Sequence, residues 1–100
     1  MKALKDCSSI LDIRDAVNEY DRQIIKLLGE RTKYVHEAMR FKSSEEEIRR
    51  PGHIPALIEE RRRLARENEV DPEFVAKIYQ ILVDHSFDVQ VGMLKARESR

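Results

Sequence analysis

The sequence predicts an all-α protein of three helices, one long, one short and one of medium length. Three observations carry that expectation. Apolar residues recur at the 3,4 spacing of a helix and nowhere alternate as in a strand. Gly and Pro number only 3 each, so few breaks interrupt the pattern. Charged residues make up 38% of the chain and hydrophobic ones 41%, with Leu, Ile, Glu, Lys and Arg prominent, a mix that favours helix. A chain of 100 residues is one domain, and it contains neither a repeat nor a low-complexity segment.

The first helix is predicted over about residues 9–42. Ile10, Ile13, Val17, Tyr20, Ile24 and Leu27 keep the rhythm, Arg31 takes the next beat, and Tyr34, Ala38 and Phe41 resume it. Ser8 or Ser9 supplies the cap. Gly29 is the one weak position, at about 1 kcal/mol relative to Ala. Roughly 32 residues at about 1.5 Å each make a rod of about 48 Å. A compact chain of this length has a radius of gyration of about 13 Å, so the helix overhangs its own domain and calls for a partner chain.

Residues 43–53 are predicted as a loop: the stretch SSEEEIRRPG is polar, lacks a stripe and ends in Pro-Gly. A short helix follows over about 54–67, with Pro55 in its first turn and Leu57, Ile58, Arg61, Leu64 and Ala65 on its inner side. Asn68 to Val70 forms the second break. Asp71-Pro72-Glu73 then starts the third helix, with Asp as cap, Pro at the first position and Glu in the first turn. That helix is predicted over about 72–96, with Phe74, Val75, Ile78, Ile81, Leu82, Val89 and Met93 as its apolar face.

Composition excludes several functions. Nineteen basic residues balance 19 acidic ones, so no bulk charge draws the chain to nucleic acid or to an anionic membrane. Cys7 is alone, which rules out an intrachain disulfide and disfavours zinc, and His36, His53 and His85 have no metal-ligand spacing. No metal site is expected. Neither a signal-peptide core nor a membrane span is present in the pattern, and a cytoplasmic location is expected.

Arg31 is the residue that departs from the pattern. A cation on a core-facing seam is costly unless an anion meets it, and its own stripe carries no carboxylate. Two readings stay open: Arg31 snorkels or pairs with a carboxylate on another helix, or it binds an anionic ligand. Lys42 lies eleven residues on, about 20° out of phase and about 16 Å along the axis, so two long side chains could converge on one ligand. Arg14 is about 25 Å from Arg31 and roughly 100° around the helix. It cannot serve the same small ligand from the same copy, but an antiparallel second copy could bring it there. On the third helix Ser86 and Gln90 share a face, and Gln90 offers amide donors at any ordinary pH. The plain alternatives are a solvated Lys42, a surface Gln90, and a Glu59–Arg63 run that is a solvated face of ion pairs.

Asp12-Ile13-Arg14, Asp21 and Leu28-Gly29-Glu30-Arg31 resemble the opening of the all-helical chorismate mutase class. Tyr34-Val35, Arg40-Phe41-Lys42, Ser44-Glu45, Glu60-Arg61, Ala65, Glu67-Asn68 and Phe74-Val75 look more like one branch of it, the isochorismate pyruvate lyases of salicylate biosynthesis. The resemblance covers nearly the whole chain. It implies the chorismate mutase type II fold, an intertwined homodimer of three-helix chains with shared sites, and no cofactor. The substrate it implies is a small dicarboxylate, isochorismate or chorismate. Arg31 and Arg14 of the partner chain would hold its two carboxylates, where a planar guanidinium fits well. Lys42 and Gln90 would donate to the ether oxygen whose C–O bond breaks.

Mutases of the class commonly carry an Arg-Glu pair early in the second helix, the Glu accepting the C4 hydroxyl of chorismate. Here that stretch reads His53-Ile54-Pro55. Isochorismate carries its hydroxyl at C2, so the loss harms a lyase less. Ser86, by contrast, resembles mutases at the comparable place. Arg49, Arg50 and His53 are further candidates around the absent pair. The resemblance therefore implies an isochorismate pyruvate lyase with weak chorismate mutase activity. A true chorismate mutase and a non-catalytic helical dimerisation module are the alternatives.

Overall fold

The structure is a computed structural model that describes residues 1–99. Among the described residues every regular element is helical. The α-helices are α1 (Ile10–Glu37), α2 (Glu45–Arg49), α3 (Ile54–Glu67) and α4 (Pro72–Glu98), with 3-10 turns at Leu4–Asp6 and Ala38–Phe41. Contacts divide the chain into two units, residues 1–34 and the chain from Val35 onward. No helix is long and apolar enough to cross a membrane.

In the first unit a reciprocal cap starts α1. Ser9 Oγ accepts the Asp12 N–H at 3.3 Å, while the Asp12 carboxylate accepts the Ser8 N–H at 2.9 Å and Lys2 Nζ at 3.3 Å. The Ser8 N–H holds the Asp12 carboxyl below its usual value; desolvation opposes it, and Lys2 and the Ser8 hydroxyl add to the lowering. The helix buries no residue at all. Val17, Tyr20, Ile24 and Leu27 are each more than half exposed.

The second unit begins with a correction. The first helix does not run to residue 42: its α-helical part stops at Glu37, tightens into the 3-10 turn, and leaves Lys42 extended at φ −122°. The tightening turns Met39 inward to 2% exposure and leaves Phe41 at 75%. Met39, not Phe41, is therefore the residue this turn buries. Two carbonyls at this helix end, Met39 O and Lys42 O, each accept a hydrogen bond from Arg97 at 3.0 Å.

The expected 43–53 loop contains the one-turn α2. Ser44 Oγ accepts the Glu47 N–H at 3.2 Å and so caps the helix, and the Glu47 carboxylate reaches back to accept the Ser43 hydroxyl at 2.9 Å. This turn drives Ile48 to 1% exposure, into a cluster with Met39 and Leu94 flanked by Phe87, Val91 and Met93. Arg50 ends α2 in the left-handed region, at φ 38°.

Helices α3 and α4 pack on each other across a short connection. Val70 N–H bonds Ala65 O at 2.9 Å and Glu69 N–H bonds Arg66 O at 3.2 Å, a Schellman stop with Glu69 at φ 58° where glycine is usual. The Arg62 guanidinium grips Glu73 at 3.1 and 3.4 Å, and Arg61 lies over the Tyr79 ring at 5.1 Å. The face expected to be inward on the third helix is corrected here. Phe74, Ile78 and Ile81 are exposed, and the buried line of α4 is Ala76, Val83, Gln90 and Leu94. Apolar residues surround much of α4, so its periodicity does not reveal which side meets α3.

Candidate active site

The 3-10 turn and α4 bring Lys42 and Gln90 together. Gln90 is 3% exposed, the one buried polar side chain among the described residues. Its Nε2 donates to Val35 O at 2.8 Å, and its Oε1 accepts from Lys42 Nζ at 3.3 Å. A carbonyl only accepts and an ammonium only donates, so these two partners dictate which way the amide faces. One amide hydrogen is committed to Val35; the other, with the remaining hydrogens of the Lys42 ammonium, can donate elsewhere. Both ordinary readings thus give way: Gln90 is not a surface residue, and Lys42 is half-buried rather than fully solvated.

Lys42 also lines a hollow of about 390 Å³ with Ala38, Phe41, Glu47 and Arg50. Burial pushes its amine below the usual lysine value, and the positive charge of Arg50 pushes the same way, while Glu47 opposes both. An uncharged amine is easier to bury than an ammonium. The hollow therefore holds two cations and one carboxylate at its wall, with an apolar side from Ala38 and Phe41. That arrangement can accept an anionic ligand and give hydrogen bonds to an oxygen on it.

The other candidates divide. Arg50 stands at this hollow, on a left-handed backbone. Arg49 is turned away, bonded to Glu45 at 3.0 Å and lying over the Phe87 ring at 5.8 Å. His53 lines a separate hollow with Glu46, Arg50, Pro51 and Gly52. Ser86 is part-buried and donates to Leu82 O at 2.8 Å, within its own helix. Arg14, exposed, and Arg31, half-buried, both belong to α1 in the first unit. Because α1 stops at Glu37, the 100°-per-residue count from Arg31 to Lys42 no longer applies. Among the described residues no group of three or more His, Cys, Asp or Glu side chains could hold a metal ion.

Sequence reasoning missed Arg97 and Ile48. Ile48 had a signal in the Ser44-x-x-Glu47 pattern before it, whereas Arg97 had none, since its partners are backbone carbonyls.

Residues 13–91 match the chorismate mutase type II family. The chain is 40% identical over 83 residues to an isochorismate pyruvate lyase of Pseudomonas aeruginosa, covering 83% of this chain and 82% of that one. It is 27% identical over 92 residues to a chorismate mutase of Methanocaldococcus jannaschii, covering 91% and 93%. A bifunctional chorismate mutase/prephenate dehydratase of Buchnera aphidicola is 26% identical over 89 residues, 88% of this chain but 23% of that protein. With four-fifths of its length matched and an all-helical fold, the chain belongs to the chorismate mutase type II family of enzymes.

Proposed function

We propose that the protein is an isochorismate pyruvate lyase, converting isochorismate to salicylate and pyruvate, with weak chorismate mutase activity. The observation that carries this reading is the Lys42 ammonium held on Gln90 beside a hollow that Arg50 shares. In the elimination the C–O bond to the enolpyruvyl group breaks as a ring hydrogen moves to that group, and negative charge grows on the ether oxygen. Lys42 and the second Gln90 N–H donate to that oxygen, and no cofactor or covalent intermediate is required. The remaining work is holding a folded substrate conformer. Arg31, and Arg14 of a second copy, are assigned to its two carboxylates.

The identity to the Pseudomonas lyase supports the lyase over the mutase, as does the start of α3 at His53-Ile54-Pro55, which brings no carboxylate for a C4 hydroxyl. Chorismate mutase is the second reading, favoured by the presence of Ser86 on the same helix as Gln90 and by the mutase relatives. The exposed stripe of α1 supports a homodimer: Ile10 is 59%, Tyr20 56% and Leu27 61% exposed in one chain, a continuous apolar face that a second copy would cover.

Purified protein offered isochorismate and chorismate separately tests the reading. Salicylate fluorescence from isochorismate is expected, with slower prephenate formation from chorismate. Prephenate without salicylate would replace the lyase by the mutase, and turnover of neither would remove both. Sedimentation at micromolar concentration is expected to give a dimer; a monomer would remove Arg14 from the site.

A further inference from the structure

Helix α4 holds the Lys42 turn at two levels seven residues apart, first at Gln90 and then at Arg97, which lies outside the hollow. Arg97 sends one guanidinium nitrogen to Lys42 O and the other to Met39 O, each at 3.0 Å. One of those carbonyls lies within the 3-10 turn Ala38–Phe41 and the other at its C-cap, where the Lys42 N–H also bonds Met39 O at 3.2 Å. The planar fork of an Arg can satisfy two acceptors at once in a fixed geometry, which an ammonium on a flexible stem does less well. Between the grips sits the buried cluster of Met39, Ile48 and Leu94.

We infer that Arg97 is a positioning residue for Lys42: by clamping Met39 O and Lys42 O it fixes the backbone from which the Lys42 ammonium reaches Gln90. Arg97 itself stays off the hollow, whose wall is Ala38, Phe41, Lys42, Glu47 and Arg50. Without the clamp the last turn can unwind, since the 3-10 geometry is the weaker one. Lys42 then has no fixed origin, and its ammonium moves from its half-buried place beside Gln90, Arg50 and Glu47 into water. A displacement of about 1 Å in such a group can cost on the order of a hundredfold in rate.

The consequence for turnover rests on the lyase–mutase reading, so the test includes a measurement that needs no substrate. Each lysine amine is titrated by its rate of acylation against pH, with the modified peptides quantified by mass spectrometry. The exposed Lys33 and Lys77 serve as internal standards. In the wild-type protein Lys42 is expected to titrate below the usual lysine value, because it is part-buried beside Arg50. In Arg97→Ala its curve is expected to rise toward the usual lysine value, with kcat down on the order of a hundredfold and KM little changed. Arg97→Lys retains one of the two carbonyl contacts and should fall between.

An unchanged Lys42 curve in Arg97→Ala overturns the inference. Should that variant fail to fold by circular dichroism, an unchanged curve in Arg97→Lys does so instead. If the Lys42 curve shifts while the wild-type protein turns over neither isochorismate nor chorismate, the positioning role stands and the proposed activity falls.

Discussion

Replacing Gln90 by Leu removes both hydrogen bonds of a side chain that is 3% exposed while keeping a similar volume. The bond to Val35 O, at 2.8 Å, is a neutral one worth about 1 kcal/mol. The bond from the Lys42 ammonium, at 3.3 Å, belongs to the charged class of about 1.5–3 kcal/mol, but Lys42 is only part-buried and water recovers much of that. The net loss is therefore about 2 kcal/mol, since both partners are left behind rather than replaced. At about 4–8 °C per kcal/mol for a domain of this size, Tm should fall by about 8–16 °C. Losing a donor to the ether oxygen costs on the order of 3 kcal/mol in the barrier, roughly a hundredfold in kcat. Calorimetry and salicylate formation read the two effects separately. A Tm within about 2 °C of wild type would refute the hydrogen-bond argument, and a full kcat in a folded variant would refute the donor role.

The pH dependence of kcat/KM reports the free enzyme. Lys42 must be protonated to donate, so activity is full below its folded pKa and lost as pH rises through it. That pKa lies below the 10.5 of an ordinary lysine, so the alkaline limb should too; Arg50→Ala should move the limb up and Glu47→Gln move it down. Either variant moving it the opposite way contradicts the assigned charges. Ile48→Ala empties a site that is 1% exposed and should cost about 2–4 kcal/mol in urea denaturation, even though α2 is only five residues long. Glu69→Gly relieves a left-handed residue at the end of α3 and should stabilise by about 0.5–1 kcal/mol, a rise in Tm of a few degrees. A fall in Tm there would mean that Glu69 makes a compensating contact.

The main helices are legible because their ends carry chemistry: Ser9 and Asp71 accept N–H groups where they were expected to, and Pro72 takes the first turn of α4. Helix α3 is found over the predicted residues. The short α2 escaped because one apolar residue, Ile48, among polar neighbours makes no periodicity, although Ser44 and Glu47 announced a helix start. The extension of the first helix through residue 42 failed because the 3,4 count assumes an α-helix and cannot register a change to 3-10 geometry at Ala38. Of the candidate site, helical spacing singled out Lys42 and Gln90 as candidates, but their roles came from resemblance to a family. Neither periodicity nor motif could expose Arg97, because backbone carbonyls have no letter in the sequence.

Met39 gives the Lys42 turn a built-in chemical clock. Its sulfur chain is sealed at 2% exposure, while Met1 lies 60% exposed on the same chain. Peroxide should therefore convert Met1 to the sulfoxide at once and reach Met39 only when the turn opens. The ratio of the two oxidation rates counts those openings. A polar sulfoxide fits poorly in a pocket shared with Ile48 and Leu94, so an oxidised molecule would stay marked until a reductase restored it. Oxidative damage and the aim of Lys42 are thus governed by the same few residues.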